Sequence, residues 1–220
     1  MLLAPYIDHT VLKQTTTLAN VEKLCAEAVQ YRFAAACIPP VYVADATRFL
    51  AGSTVNVCTV IGFPFGYHTV SVKLEEAKKA VSDGAAELDM VLHIGALKSK
   101  NFYLLEQEVE SLATFSNTHG AVLKLIIESG ILSDEEILVC CNLAKKYPVH
   151  YLKTSTGFAE QGATVAAVQL MRQHLPSTIG IKASGGIKTA TFARQFIEAG
   201  ATRIGSSASV AIVSEERATG

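Results

Sequence analysis

Short apolar runs recur along this chain at a nearly even interval, and stretches of helical periodicity fill the gaps between them. The runs cover residues 6–10, 34–38, 55–61, 87–92, 122–128, 150–154, 180–184 and 202–206. Between them, Leu74, Ala77 and Val81 recur at helical spacing ahead of Gly84, and Leu105, Val109 and Leu112 do the same further on. Ser133 and Glu136 form a capping box opening a helix that Pro148 ends. A further helix with Val165, Val168, Met171 and Leu175 on one face stops at Pro176, and another ends at Gly200. Strands alternating with helices predict a parallel sheet. Eight such units in 220 residues, roughly 27 each, predict an α/β fold of the closed (β/α)8 type. No linker or low-complexity tract interrupts the order, so residues 1–220 read as one domain. An open doubly wound sheet is the competing fold, disfavoured because no G-x-G-x-x-G turn follows the first strand.

Composition narrows the function. Half the residues are hydrophobic and 18% are charged, which excludes a disordered chain. The formal net charge of -1 gives no field to hold nucleic acid or an anionic membrane, so the expected partner is a small molecule. Residues 49–72 carry no Lys, Arg, Asp or Glu, but Asn56, Pro64, His68 and several Gly, Ser and Thr make the run too polar for a bilayer. The N-terminal residues lack the basic start and apolar stretch of a secretory signal. Five cysteines without C-x-x-C spacing argue against a disulfide framework or zinc site. The expectation is a reduced, cytoplasmic protein.

Lysine inside strands is the most telling local feature. A strand covered on both faces makes a charge expensive unless it meets a wet site or a partner, and Lys124, Lys153 and Lys182 all lie within predicted strands. Two inward ammonium groups on neighbouring strands disfavour each other, and burial adds to that. One of the pair Lys153 and Lys182 can then be driven toward the free amine that an imine-forming nucleophile needs. The blander alternative has each lysine at a strand end, reaching water or an anion. Asp89, with Glu87 and Val91 on one strand face, is the candidate partner. Asp8 reads equally as a catalytic acid or as a turn residue before the next helix.

Small residues follow the late strands. Ser184-Gly185-Gly186, Gly205-Ser206-Ser207 and Thr156-Gly157 are candidates for an anion cradle at the C-terminal strand ends. Thr10, Cys37 and Lys124 are possible lining residues, with Cys37 also readable as a small buried hydrophobe. The six histidines are scattered and form no evident metal triad.

As a set, these motifs resemble the deoxyribose-phosphate aldolase family. The resemblance rests on Ile7-Asp8-His9-Thr10, Ile61-Gly62-Phe63-Pro64, Glu87-Leu88-Asp89-Met90-Val91, Tyr151-Leu152-Lys153-Thr154-Ser155-Thr156-Gly157-Phe158, Ile181-Lys182-Ala183-Ser184-Gly185-Gly186-Ile187 and Arg203-Ile204-Gly205-Ser206-Ser207. It implies a barrel enzyme that reversibly cleaves 2-deoxy-D-ribose 5-phosphate through a Schiff base on Lys153. Lys182 would perturb and assist that lysine, Asp89 would move protons and Asp8 would be the distal member of the relay. Gly157, Gly185, Gly186, Gly205, Ser206 and Ser207 match the family's phosphate-binding elements. The resemblance implies no metal or other cofactor, sugar-phosphate and aldehyde substrates, and a homodimer or larger homo-oligomer. Gln14, Pro39-Pro40 and His93 depart from the usual pattern, none of them at the lysine pair. Phe158 stands where some members carry a phosphate-contacting lysine, and residues 214–220 lack the C-terminal tyrosine of some members. Two other readings remain: an imine-forming barrel aldolase with a ketone or keto-acid donor, and a sugar-phosphate-binding barrel without turnover.

Overall fold

A computed structural model describes residues 2–219. Its eight strands are β1 (Ile7–Thr10), β2 (Ala35–Ile38), β3 (Asn56–Ile61), β4 (Glu87–Val91), β5 (Val122–Ile126), β6 (Tyr151–Lys153), β7 (Gly180–Ser184) and β8 (Arg203–Ser206). They pair in sequence order, all parallel, and β8 closes on β1 with Asp8 opposite Gly205. The predicted closed barrel is the observed one.

The helices are α1 (Leu18–Tyr31), α2 (Val43–Phe49), α3 (Val70–Ser82), α4 (Ile94–Lys98), α5 (Phe102–Thr118), α6 (Asp134–Lys146), α7 (Val165–His174), α8 (Ala190–Glu198) and α9 (Ser209–Thr219). Their ends follow local chemistry. The Ser133 hydroxyl accepts from Glu136 N while the Glu136 side chain accepts from Ser133 N, the predicted capping box. Tyr147 and Leu175, each preceding a proline, turn extended and end α6 and α7. The short α4 was not anticipated; its start is capped by His93, whose Nδ1 accepts from Ala96 N.

The two faces of the strands have different contents. Outward, Ile7, Ile38, Ile61, Leu88, Met90, Leu123, Leu125, Leu152, Ile181 and Ile204 are fully buried against the helices. Each contributes about 1.5–3 kcal/mol by leaving water. Inward, the barrel is split: Ala35, Cys37, Cys58 and Val60 make a small apolar group on β2 and β3. Asp8, Glu87, Asp89, Lys124, Lys153 and Lys182, all buried, occupy most of the rest, with Val91 and Ile126 beside them. β5 departs most from expectation: it stops at Ile126, and Glu128 adopts a left-handed conformation at φ 55°.

Candidate active site

The strand registers bring the ionisable groups together. Asp89 stands opposite Lys124, and Lys153 opposite Lys182, so four positions on β4 to β7 project into one interior. Asp89 is the hub. Its Oδ2 accepts from Lys153 Nζ at 2.6 Å and Lys182 Nζ at 2.7 Å. Its Oδ1 accepts from Lys124 Nζ at 2.7 Å and from the Cys58 thiol at 3.2 Å. Asp8 Oδ2 accepts from Lys182 Nζ, and Asp8 Oδ1 from Arg203 Nη1 at 2.6 Å. The connected path runs from Lys153 through Asp89 and Lys182 to Asp8 and Arg203. The turn reading of Asp8 is thereby replaced: it is fully buried inside the barrel.

Arg203 was not singled out in the sequence, although it shares alternation with inward Gly205. Gly205 itself makes room for the relay, since a Cβ there would stand 3.0 Å from Lys182 Cε and 2.9 Å from Ser184 Cβ. Gly180 does the same for Tyr151, whose ring would lie 2.3 Å from an added Cβ.

Burial alone would raise both aspartates; the lysines and Arg203 outweigh it and hold both carboxyls well below the usual range. Burial would likewise lower Lys124 and Lys182, yet the surrounding carboxylates keep both above the ordinary lysine value. The expected neutralisation of one lysine therefore does not fall on Lys182, because Asp8 and Asp89 hold it as a cation. Ligand atoms of Asp8, Cys58 and Glu87 lie within 4.8 Å of one another, as a metal site would require. The Lys124 ammonium reaches the same three side chains, at 3.4, 3.2 and 2.6 Å. A resident ammonium thus provides the cation that this cluster of donors would otherwise seek. Lys124 and Cys37 do not line the cavity as expected: both are fully buried, Cys37 in the apolar group and Lys124 one inward layer nearer the N-terminal end than Lys153.

Lys153 opens onto a cavity of about 280 Å³ at the C-terminal ends of the strands. Thr10, Thr156, Gly157, Gly185, Gly186, Gly205, Ser206 and Ser207 line it together with Lys153, so all the candidate cradle residues share one wall system. Gly185 and Gly186 have φ of 92° and 82°, values that a side chain would strain. Lys13 and Lys188, absent from the sequence candidates, add two exposed cations at the mouth. Phe158 also lines it and packs edge-on against Phe63, ring centres 5.2 Å apart. Two cradle side chains prove to be structural braces. The Ser206 hydroxyl donates to Ile187 O at 2.7 Å and accepts from Ala208 N. Thr156 donates both its N–H and its hydroxyl to Glu128. Neither hydroxyl is free to donate to a bound phosphate, because each already donates to a protein acceptor.

A second buried ion pair lies outside the barrel. Lys73 on α3 donates to Glu108 Oε1 on α5 at 2.5 Å and to Val91 O at 2.7 Å, and Glu108 Oε2 accepts from His93 N. Its signal in the sequence was slight: Lys73 shares the apolar stripe of Ala77 and Ala80.

Comparison with known proteins agrees with this geometry. The family model described as DeoC/LacD family aldolase matches residues 2–214. The deoxyribose-phosphate aldolase of Streptococcus pneumoniae (strain Taiwan19F-14) is 46% identical over 220 residues, 100% of this chain and 99% of the relative. A solved structure from Coccidioides immitis, described as a putative deoxyribose-phosphate aldolase, superposes with a TM-score of 0.94 at 40% identity, covering 98% of this chain and 85% of that one. The deoxyribose phosphate aldolase of Aeropyrum pernix, described as having a unique tetrameric structure, gives a TM-score of 0.92 at 32% identity, covering 99% and 92%.

Proposed function

The chain belongs to the DeoC/LacD family of aldolases, and we propose that it reversibly cleaves 2-deoxy-D-ribose 5-phosphate to D-glyceraldehyde 3-phosphate and acetaldehyde through an imine on Lys153. One observation carries the assignment of the nucleophile. Of the three buried lysines inside the barrel, Lys153 alone is on the wall of the cavity, and it reaches the Asp89 carboxylate at 2.6 Å. Lys124 and Lys182 are each held by two or more carboxylates away from the cavity wall, whereas Lys153 meets the cavity with Asp89 as the carboxylate placed to take its proton.

The chemistry follows from these positions. The Lys153 amine adds to the C1 aldehyde of the open-chain sugar; loss of the carbinolamine hydroxyl as water gives an iminium. Acetaldehyde carries C1 and C2, so the C2–C3 bond breaks: its electron pair moves into the iminium, and the C3 hydroxyl proton is taken up as the new aldehyde forms. The resulting enamine is neutral and is reprotonated at C2. Hydrolysis of the imine then frees acetaldehyde and regenerates the lysine. Asp89 Oδ2 contacts both Lys153 and Lys182, a route for those protons, with Asp8 behind Lys182 favouring its cationic form. The phosphate dianion would lie against the glycine walls of the β6, β7 and β8 loops, with Lys13 and Lys188 supplying positive charge at the mouth. These steps use this chain's own residues alone. We assign the catalytic domain to the whole chain.

No helix among the described residues is long and apolar enough to cross a membrane. Five free, buried cysteines fit a reducing, cytoplasmic setting. A homo-oligomer is the proposed assembly, by analogy with the tetrameric relative.

The direct test is borohydride reduction with acetaldehyde, followed by peptide mass mapping. The reduced adduct is expected on Lys153, and Lys153→Arg should abolish both adduct and turnover, since guanidinium cannot serve as the amine. An adduct elsewhere overturns the assignment. A second arm assays glyceraldehyde 3-phosphate release from deoxyribose 5-phosphate; no release would favour a donor other than acetaldehyde.

A further inference from the structure

The chain leaves β5 in an unusual way. Glu128, two residues past the strand, has φ 55° and ψ 53°, a left-handed conformation that non-glycine residues seldom adopt. Its side chain is buried, at 6% exposure. No Lys, Arg or His among the described residues lies within ion-pair distance of it. A buried carboxylate normally acquires a cation or neutralises, and strained backbone at such a point is retained when surrounding structure requires it.

Glu128 is instead satisfied by one loop. Its oxygens accept from Thr156 N at 3.3 Å and from the Thr156 hydroxyl at 2.5 Å. That hydroxyl in turn accepts from Phe158 N at 3.1 Å. The neighbouring backbone adds Ser129 N to Thr154 O at 2.7 Å and Ile127 N to Lys153 O at 3.0 Å. Residues 153–158 are therefore fastened to the β5 exit at three residues, Lys153, Thr154 and Thr156, and Phe158 is tied to it through Thr156. The wall they form carries Gly157, where an added Cβ would come into van der Waals contact, at 4.0 Å, with Gly185 Cα of the neighbouring β7 loop.

We propose that Glu128 is a positioning residue for substrate binding: it turns both Thr156 donors away from the cavity and fixes the β6 loop at the width that admits the phosphate end of the substrate. The inference rests on the proposed function for its substrate, while the brace itself is a property of the fold. Lys153 is held independently through Asp89, so loosening the loop disturbs phosphate binding more than imine formation. The left-handed backbone is what aims the carboxylate across at Thr156, which accounts for a strained residue at this position.

Glu128→Gly separates strain from function, because glycine relieves the φ of 55° while removing the carboxylate. The expected result is an unchanged or raised Tm, faster amide hydrogen exchange confined to residues 153–158, and a KM for deoxyribose 5-phosphate raised about tenfold with kcat altered less than about threefold. Imine trapping on Lys153 with acetaldehyde, which has no phosphate, should match the parent. Thr156→Val should shift KM the same way, and the double variant should be no worse than Glu128→Gly alone, since both remove one interaction. Unchanged exchange at residues 153–158 overturns the brace. Altered exchange with an unchanged or lower KM overturns the role in binding, a lower value meaning that Glu128 merely repels the phosphate. Failure of the parent protein itself to trap acetaldehyde or cleave the sugar phosphate would fault the proposed function instead, with the exchange result still deciding the brace.

Discussion

Two sets of buried charges in this molecule use the same residue types and respond to burial in opposite ways. Inside the barrel, Lys124 and Lys182 are raised and Asp8 and Asp89 are lowered, so all four stay ionised. Between the barrel and its helices, burial dominates: Lys73 is lowered and Glu108 is raised, each pushed toward its neutral form. The difference is the number of partners. Asp89 receives three ammonium groups, whereas Lys73 and Glu108 face essentially one opposite charge each, with Glu76 a weaker contributor. A single ion pair rarely repays its desolvation, while a network can. The barrel interior is thus an ionised relay, and the outer pair is a clamp on the end of β4, where Val91 and His93 supply its backbone contacts.

Removing the hub should have the largest effect. Asp89→Asn takes the shared anion from three lysines, and we expect kcat/KM for the sugar phosphate to fall about 100-fold or more. Stability should fall by about 3 kcal/mol, measured by urea unfolding, because buried ammonium groups lose their counter-charge. A variant of near-parental stability and turnover would dissolve the distinction drawn between the two networks.

The outer clamp should behave differently. Lys73→Met is expected to cost about 3 kcal/mol of stability by leaving Glu108 buried and unpaired, with kcat in the folded enzyme within about twofold of the parent. Adding Glu108→Leu should recover part of that loss, a coupling of about 1–3 kcal/mol in a double-mutant cycle. Strict additivity would mean that the pair contributes nothing as a pair.

Acid titration gives the smallest and most diagnostic contrast. Asp8 and Asp89 have depressed folded-state values, so the unfolded chain binds more protons and their stabilisation, present above about pH 4, is lost as pH falls below it. Glu108 is raised, so its contribution has the opposite sign: it is fully present below about pH 4 and fades as pH rises through the elevated value. The urea midpoint between about pH 2 and 5 should therefore fall with acid less steeply in Asp89→Asn and more steeply in Glu108→Gln. Parallel profiles for both variants would refute the opposed signs.

Much of the barrel could be read from the chain because it is dictated locally. Alternation within 87–92 places Glu87 and Asp89 on one face, and helix ends before Pro148 and Pro176 follow from backbone sterics. The inward lysines stood out because charge inside an apolar strand violates a local rule. What remained hidden depended on registers between distant segments. The residues around Asp8 do not by themselves separate a turn role from a catalytic one, because its partners, Lys182 and Arg203, are more than 170 positions away in sequence. Glu128 was read as the last residue of a strand because its left-handed backbone answers to Thr156, not to its neighbours.

The sequence by itself determined that eight strands and their helices alternate, that Lys153, Lys182 and Asp89 sit within strands, and that small residues follow the late strands; these are consequences of periodicity and of the high cost of burying charge. The tertiary structure alone decided which charges meet. Closure of β8 on β1 carries Asp8 and Arg203 to Lys182, fixes Lys182 as a cation and leaves Lys153 facing the cavity. Coulombic attraction depends on separation in space, and only the closed barrel sets those separations.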